Sequence, residues 1–207
     1  MTTALPADPA LARFSMVLPN TWTLMDLDPA TRDRSVERLI RQALGTRDSL
    51  ATLRRWAITQ YRAFLQDATA AGAFFAAQLS QDIGGRPLTA SMLAFLGLTP
   101  LGADRMPMGV EEMVTTPAEP GEDESISEGP PEVELPIGWA VRVRGRTSAG
   151  LAGSDGVVAL ADITRFFVPV AEWGYMLVMA FSTPILSASD TFAALFDQLA
   201  RTARWQV

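Results

Sequence analysis

No cysteine, histidine or lysine occurs in this 207-residue chain, and all 17 of its basic residues are arginine. These absences remove thiolate nucleophiles, imidazole acid/base chemistry, Schiff-base lysines and the soft ligands of zinc. Catalysis would have to run on Asp, Glu, Ser, Thr, Tyr or Arg, which argues against an enzyme. No apolar run approaches the roughly 20 residues that a membrane span needs. The longest, Tyr175 to Phe181, has the length of a strand. The first 20 residues lack the basic start and apolar run of a secretory signal, so the cytoplasm is the expected location.

What is present is 48% apolar residues and a net charge of −6, unevenly distributed. Nine of the 23 acids lie between Glu111 and Glu134, and no basic residue occurs between Arg105 and Arg142. The remainder carries 14 acids against 17 arginines, a charge of about +3. No basic arm or cluster supports nucleic-acid binding. The core is large enough for one domain, with residues 1–11 as a disordered tail and 12–207 as the folded unit.

Periodicity orders the elements. Arg13–Leu18 and Thr21–Leu27 read as an opening β-hairpin around Pro19-Asn20. Asp28-Pro29 starts a helix whose apolar stripe is Val36, Leu39, Ile40, Ala43 and Leu44, ended by Gly45. Thr46 is placed to cap a second, longer helix with a seam of Leu50, Leu53, Ala57, Phe64, Ala68 and Ala71. After Gly72 the period changes to 2: Ala73–Ser80 and Leu88–Leu98 form a hairpin turning at Gly84-Gly85. A short helix is expected at Val110–Val114. Thr115–Pro131, rich in Pro, Gly, Ser and acid, is expected to be a mobile surface loop. Glu132–Arg146 reads as one long strand, followed by strands at Val157–Pro169 and Tyr175–Phe181. Ser187 and Asp190 then bracket the start of a last helix with Phe192, Leu195, Phe196, Leu199 and Ala203 on one face. The fold class is therefore α+β: a twisted, mostly antiparallel sheet of about 6–7 strands packed between helices, opening with a hairpin and closing with a helix.

Several residues are candidates for chemistry. Arg142, Arg144 and Arg146 line one face of a strand; they can hold a carboxylate or phosphate, or form a solvated outer face neutralised by acidic neighbours. Asp26 and Asp28 flank Leu27, but too few oxygens adjoin them for a hard cation, and helix capping accounts for Asp28. No metal site and no cofactor is expected. Trp22, Trp56 and Trp205 fit the periodicities least well and are expected to be partly exposed at an interface.

Two stretches carry a resemblance. Phe14-Ser15-Met16-Val17-Leu18-Pro19-Asn20-Thr21-Trp22 is similar to the "LP-x-x-W" opening of the PsbP-like superfamily, whose fold is shared with a Ran-binding nuclear import factor and bacterial lipoproteins. Phe181-Ser182-Thr183-Pro184, continued through Phe196-Asp197 to Thr202-Ala203-Arg204-Trp205, resembles the ending of an uncharacterised actinobacterial branch of that group. The export signal and lipidated cysteine of its lipoprotein members are missing, and the helix pair and acidic loop look like additions. The resemblance implies a non-catalytic binding or assembly factor, an adaptor or chaperone linked to a bacterial secretion or envelope system, with another protein as partner and self-association left open. Two other readings remain: a carrier of a small apolar or anionic ligand in a pocket between sheet and helices, and a hydrolase built on paired carboxylates.

Overall fold

A computed structural model describes residues 14–84, 86–98, 132–150, 158–170 and 175–205. The expected tail at 1–11, the helix at 110–114 and the acidic loop at 115–131 lie outside the described residues. In chain order the elements are β1 (Phe14–Ser15), β2 (Trp22–Leu24), α1 (Pro29–Leu44), α2 (Ala51–Ala70), β3 (Ala73–Ile83), β4 (Arg86–Leu98), β5 (Glu132–Leu135), β6 (Gly138–Gly150), β7 (Val158–Val170), β8 (Tyr175–Thr183), α3 (Ser189–Ala200) and β9 (Arg204–Trp205). Seven strands form one antiparallel sheet in the order β2-β3-β4-β8-β7-β6-β5, confirming the α+β class.

The opening strands do not make a hairpin. β1 pairs with β9 near the C-terminus, Phe14 opposite Trp205, while β2 joins β3. Aromatic packing decides this: the Phe14 ring meets Phe74, Phe75 and Trp205 edge-on at 5.4, 5.3 and 5.8 Å. Thr202 reinforces the closure by accepting from the Val17 N–H at 3.1 Å.

The α1–α2 pair covers one face of the sheet at its β2–β4 end. Asp28 caps α1 by accepting from the Ala30 N–H at 2.9 Å, as expected from Asp-Pro. Asp26 accepts from the Thr31 hydroxyl and from the Asp28 N–H, and these hydrogen bonds hold its carboxyl below the usual range. Both carboxylates are thus occupied in local capping. Val36, Leu39 and Ile40 are buried with Met25, Leu65 and Ala76, so the α1 stripe is phased as read, although Ala43 is exposed.

α2 is rotated from its expected seam. Leu53 and Phe64 are exposed, and the inner line runs through half-buried Ile58 and Tyr61 to buried Leu65, with Ala68 of the expected seam also buried. α2 packs on α1 through one flank, where Arg62 bridges Asp33 at 3.4 Å and Glu37 at 2.8 Å. The start of α2 also differs: a short 3-10 turn at Asp48–Leu50 precedes it and no side chain caps it. Arg54 instead donates to the carbonyls of Gly45 and Arg47, at 3.1 and 2.7 Å.

Burial raises the pKa of the Tyr61 hydroxyl well above its ordinary 10.0. Because the folded pKa is raised, the associated stability is fully present below the unfolded value of 10.0 and declines as pH rises above it. Alkaline unfolding followed by circular dichroism should therefore steepen above that pH in the wild type and be blunted in Tyr61→Phe.

α3 covers the other face, over β7 and β8. Phe181 stacks on Phe196 at 5.1 Å and meets Phe166 edge-on at 5.9 Å, and this group anchors the largest apolar cluster. α3 begins at Ser189 with Ala188 at its N-cap, so the Ser187/Asp190 pair is not a capping box; Asp190 lies in the first turn.

Glu132 to Arg146 is not one strand. A two-residue turn at Pro136-Ile137 folds it into the β5–β6 hairpin, with Leu135 opposite Gly138. The turn reverses the facing of everything after it. Leu135 joins the core beneath α3, whereas Val141 and its neighbours Trp139 and Val143 lie on the opposite face. Gly138 takes a φ of 138°, and a Cβ there would stand 3.3 Å from the Val168 Cγ1. Gly138→Ala should cost about 1–3 kcal/mol in chemical denaturation, from backbone strain plus a tight contact.

Candidate functional site

The even-numbered residues of β6 face α3, so the arginine row lies beneath a helix rather than on an open outer face. Arg142 Nη1 donates to Asp197 Oδ2 at 2.7 Å. Arg144 Nη2 donates to Asp190 Oδ1 at 3.1 Å and to the Ser189 hydroxyl at 3.2 Å. Arg146 Nε donates to Asp162 Oδ1 at 3.0 Å, where Asp162 projects from the neighbouring β7. Thus α3 runs antiparallel to β6, with two of its acids seven residues apart meeting two arginines two residues apart. Seven helical residues rise about 10.5 Å and two strand residues about 6.6 Å, a difference that arginine side chains span.

The three pairs differ in weight. Asp190 is 90% exposed, which keeps the Arg144 pair within about 1 kcal/mol. Its placement still matters, because a cation beside a helix N-terminus opposes the helix dipole and Asp190 in the first turn offsets it. Arg142 and Asp197 are more withdrawn, with 16% and 28% of their side chains exposed. Arg142→Leu should cost roughly 2–3 kcal/mol by leaving Asp197 half-buried beside a lost donor. A cycle with Asp197→Asn, read by urea denaturation, should return a coupling of about 1–2 kcal/mol. A coupling near zero would show that the pair holds nothing.

A void of about 10 Å³ lined by Arg144, Asp162, Thr164, Thr183, Ser189 and Phe196 has room for about one water. A larger, open cleft of about 680 Å³ lies where β5 (Glu132 to Leu135) and Pro136 meet Arg142, Asp197 and Arg201.

The tryptophans divide. Trp22 is 7% exposed and belongs to the core, correcting the expectation that it sits at an interface. It is opposite Leu79 on β3, which turns its ring inward toward the apolar cluster. Trp205 is half-buried against Phe14, and Trp56 is 38% exposed on α2. Trp22 stands on β2, at the other end of the sheet from β6, and Trp205 on β9 in the separate two-stranded pair. Among the described residues, no three acids gather as metal ligands.

One feature of this region escapes the reading of Glu132–Arg146 as a single strand. Among the described residues, β5 pairs with Gly138 to Val141, while β6 continues to Gly150. From Val143 onward, no described strand lies on that side of β6. Recognising it required knowing that Pro136-Ile137 is a turn.

No protein-family model and no curated protein sequence matches this chain.

Proposed function

We propose that this chain is a non-catalytic binding or assembly factor, acting in the cytoplasm on another protein, through the edge of β6 that no described strand covers. One observation carries this reading: eight residues, Val143 to Gly150, stand in strand conformation with no described neighbour on one side. An open strand edge offers a row of backbone donors and acceptors, which is chemistry suited to another polypeptide. Kinship with the PsbP-like superfamily belongs to the same proposal, since its members are mostly binding and assembly factors.

Affinity capture from the native host tests it. Wild-type bait should return the same protein repeatedly, and Ser148→Pro bait should lose it, because proline removes one N–H from the ladder while being tolerated at a sheet edge. Capture that is empty, or unchanged by Ser148→Pro, counts against the reading.

A second reading, a carrier of a small anionic ligand, is favoured by the open cleft beside Arg142 and Arg201. Among the described residues, the packing of Phe181 on Phe196 at 5.1 Å beneath α3 speaks against an apolar pocket at that point. Native mass spectrometry of protein purified from its host separates the two: a retained small ligand supports the carrier.

A further inference from the structure

We infer that the small void between α3 and the sheet is a binding site for one water molecule, held by Asp162, Thr164, Arg144 and Ser189, and that this water joins the start of α3 to β6 and β7. Its occupancy is independent of which partner the protein takes. Three observations carry it.

The first is a buried carboxylate with one oxygen unserved. Asp162 is 7% exposed and stands between β6 and β8, opposite Arg146 on one side and Thr183 on the other. Its Oδ1 accepts from Arg146 Nε at 3.0 Å. Its Oδ2 is shut off from solvent, and no protein group donates to it. A carboxylate oxygen buried without a donor is a costly state, and folded proteins relieve it with a protein group or an ordered water.

The second is the space beside it. Asp162 lines the void of about 10 Å³, together with Arg144, Thr164, Thr183, Ser189 and Phe196. Cavities that stay dry are walled by apolar groups, whereas a polar one of about 10–15 Å³ suits a single water. Five of these six side chains carry polar atoms, so the walls are of the second kind.

The third is which bonds the neighbours can still make. Ser189 Oγ accepts from Arg144 Nη2 at 3.2 Å, which leaves its own O–H to donate. Arg144 spends Nη2 on Ser189 and Asp190, and a guanidinium has further N–H groups on Nε and Nη1. The Thr183 hydroxyl is committed, donating to the Thr89 carbonyl at 2.9 Å and accepting from the Ile185 N–H at 3.2 Å. A water in the void therefore gives one proton to Asp162 Oδ2 and one to the Thr164 hydroxyl, and accepts from Ser189 and Arg144.

Charge selects water over an ion. Arg144 and Arg146 are matched by Asp190 and Asp162, so the cluster is neutral as it stands. A cation would face two guanidinium groups, and an anion would face the Asp162 carboxylate. The water also gives α3 an attachment that its own sequence does not provide, because Ala188 is its N-cap and no side chain caps it.

A high-resolution crystal structure of the full chain tests the site. A density peak should lie in the void about 2.8 Å from Asp162 Oδ2 and at a similar distance from Thr164, Ser189 or Arg144. No peak there, or a protein donor found directly on Oδ2, would overturn the proposal. A peak with several oxygens at about 2.4 Å would overturn it in favour of a metal cation. Oxygen-17 magnetic relaxation dispersion tests the same site in solution. Thr164→Ile puts an extra methyl group into the void and removes the hydroxyl, so the dispersion amplitude should fall by one long-lived water relative to wild type. An unchanged amplitude in the folded variant would overturn the proposal. If that variant does not fold, the crystal structure of the wild type still decides.

Discussion

Val36→Asp should destabilise the protein by roughly 4 kcal/mol or more. Val36 is wholly inaccessible, enclosed with Met25, Leu39, Ile40, Leu65 and Ala76 between α1, α2 and the sheet. A carboxylate there would be ionised in an apolar site or would have to take up a proton. Arg32, one turn earlier, is already 3.8 Å from Asp33, and drawing it inward would break that contact. Val36→Ala removes two methyl groups without adding charge and should cost about 1–2 kcal/mol. Urea denaturation distinguishes them: the midpoint should fall in the order wild type, alanine, aspartate, at a nearly constant slope. An aspartate variant within 1 kcal/mol of wild type would mean that α1 does not pack on this face.

Phe181→Ala should cost about 3–5 kcal/mol. β8 is the fourth of seven strands, and Phe181 is fully buried at its centre. Its ring stacks on Phe196 with an interplanar angle of 23°, so it couples the sheet to α3. Losing it leaves a cavity that the flanking strands, hydrogen-bonded on both sides of β8, cannot collapse to fill. A double-mutant cycle with Phe196→Ala should show a coupling of about 0.5–1.5 kcal/mol beyond the area lost. Additive costs would indicate that the two rings merely occupy space and do not tie α3 to the sheet.

These two sites differ in how legible they were. Val36 falls at a 3.6-residue spacing with Leu39 and Ile40, next to an Asp-Pro start, and such a local pattern specifies both the helix and its inner face. The alternation in β3 and β4, the runs of β7 and β8 that are apolar on both faces, and the α+β class that follows from them were equally legible, because strand patterning and glycine turns are local properties. Gly84-Gly85 shows this: Gly84 takes a φ of 63°, as the turn closing β3 onto β4 requires.

Other features depended on partners far away in the chain. α2 carries apolar residues around much of its circumference, so its pattern admitted two seams. Packing against α1 selected Leu65, with Ile58 and Tyr61 beside it, and left Leu53 and Phe64 outside. β1 found β9 rather than β2 because Phe14 is satisfied by Phe74, Phe75 and Trp205, and no local rule brings those rings together.

The arginine row shows the division most plainly. Its period-2 spacing in the sequence determined that Arg142, Arg144 and Arg146 share one face of a strand. Only the tertiary structure decided that α3 lies over that face, turning the three arginines toward Asp197, Asp190 and Asp162. Likewise, Pro136-Ile137 stands in the sequence as a proline in an apolar run, while the pairing of Leu135 with Gly138 across it appears only in the folded chain. The physical reason is common to all these cases. Periodicity, capping and proline act through the backbone within a few residues, whereas the cover a face receives depends on segments brought together only by burying the core.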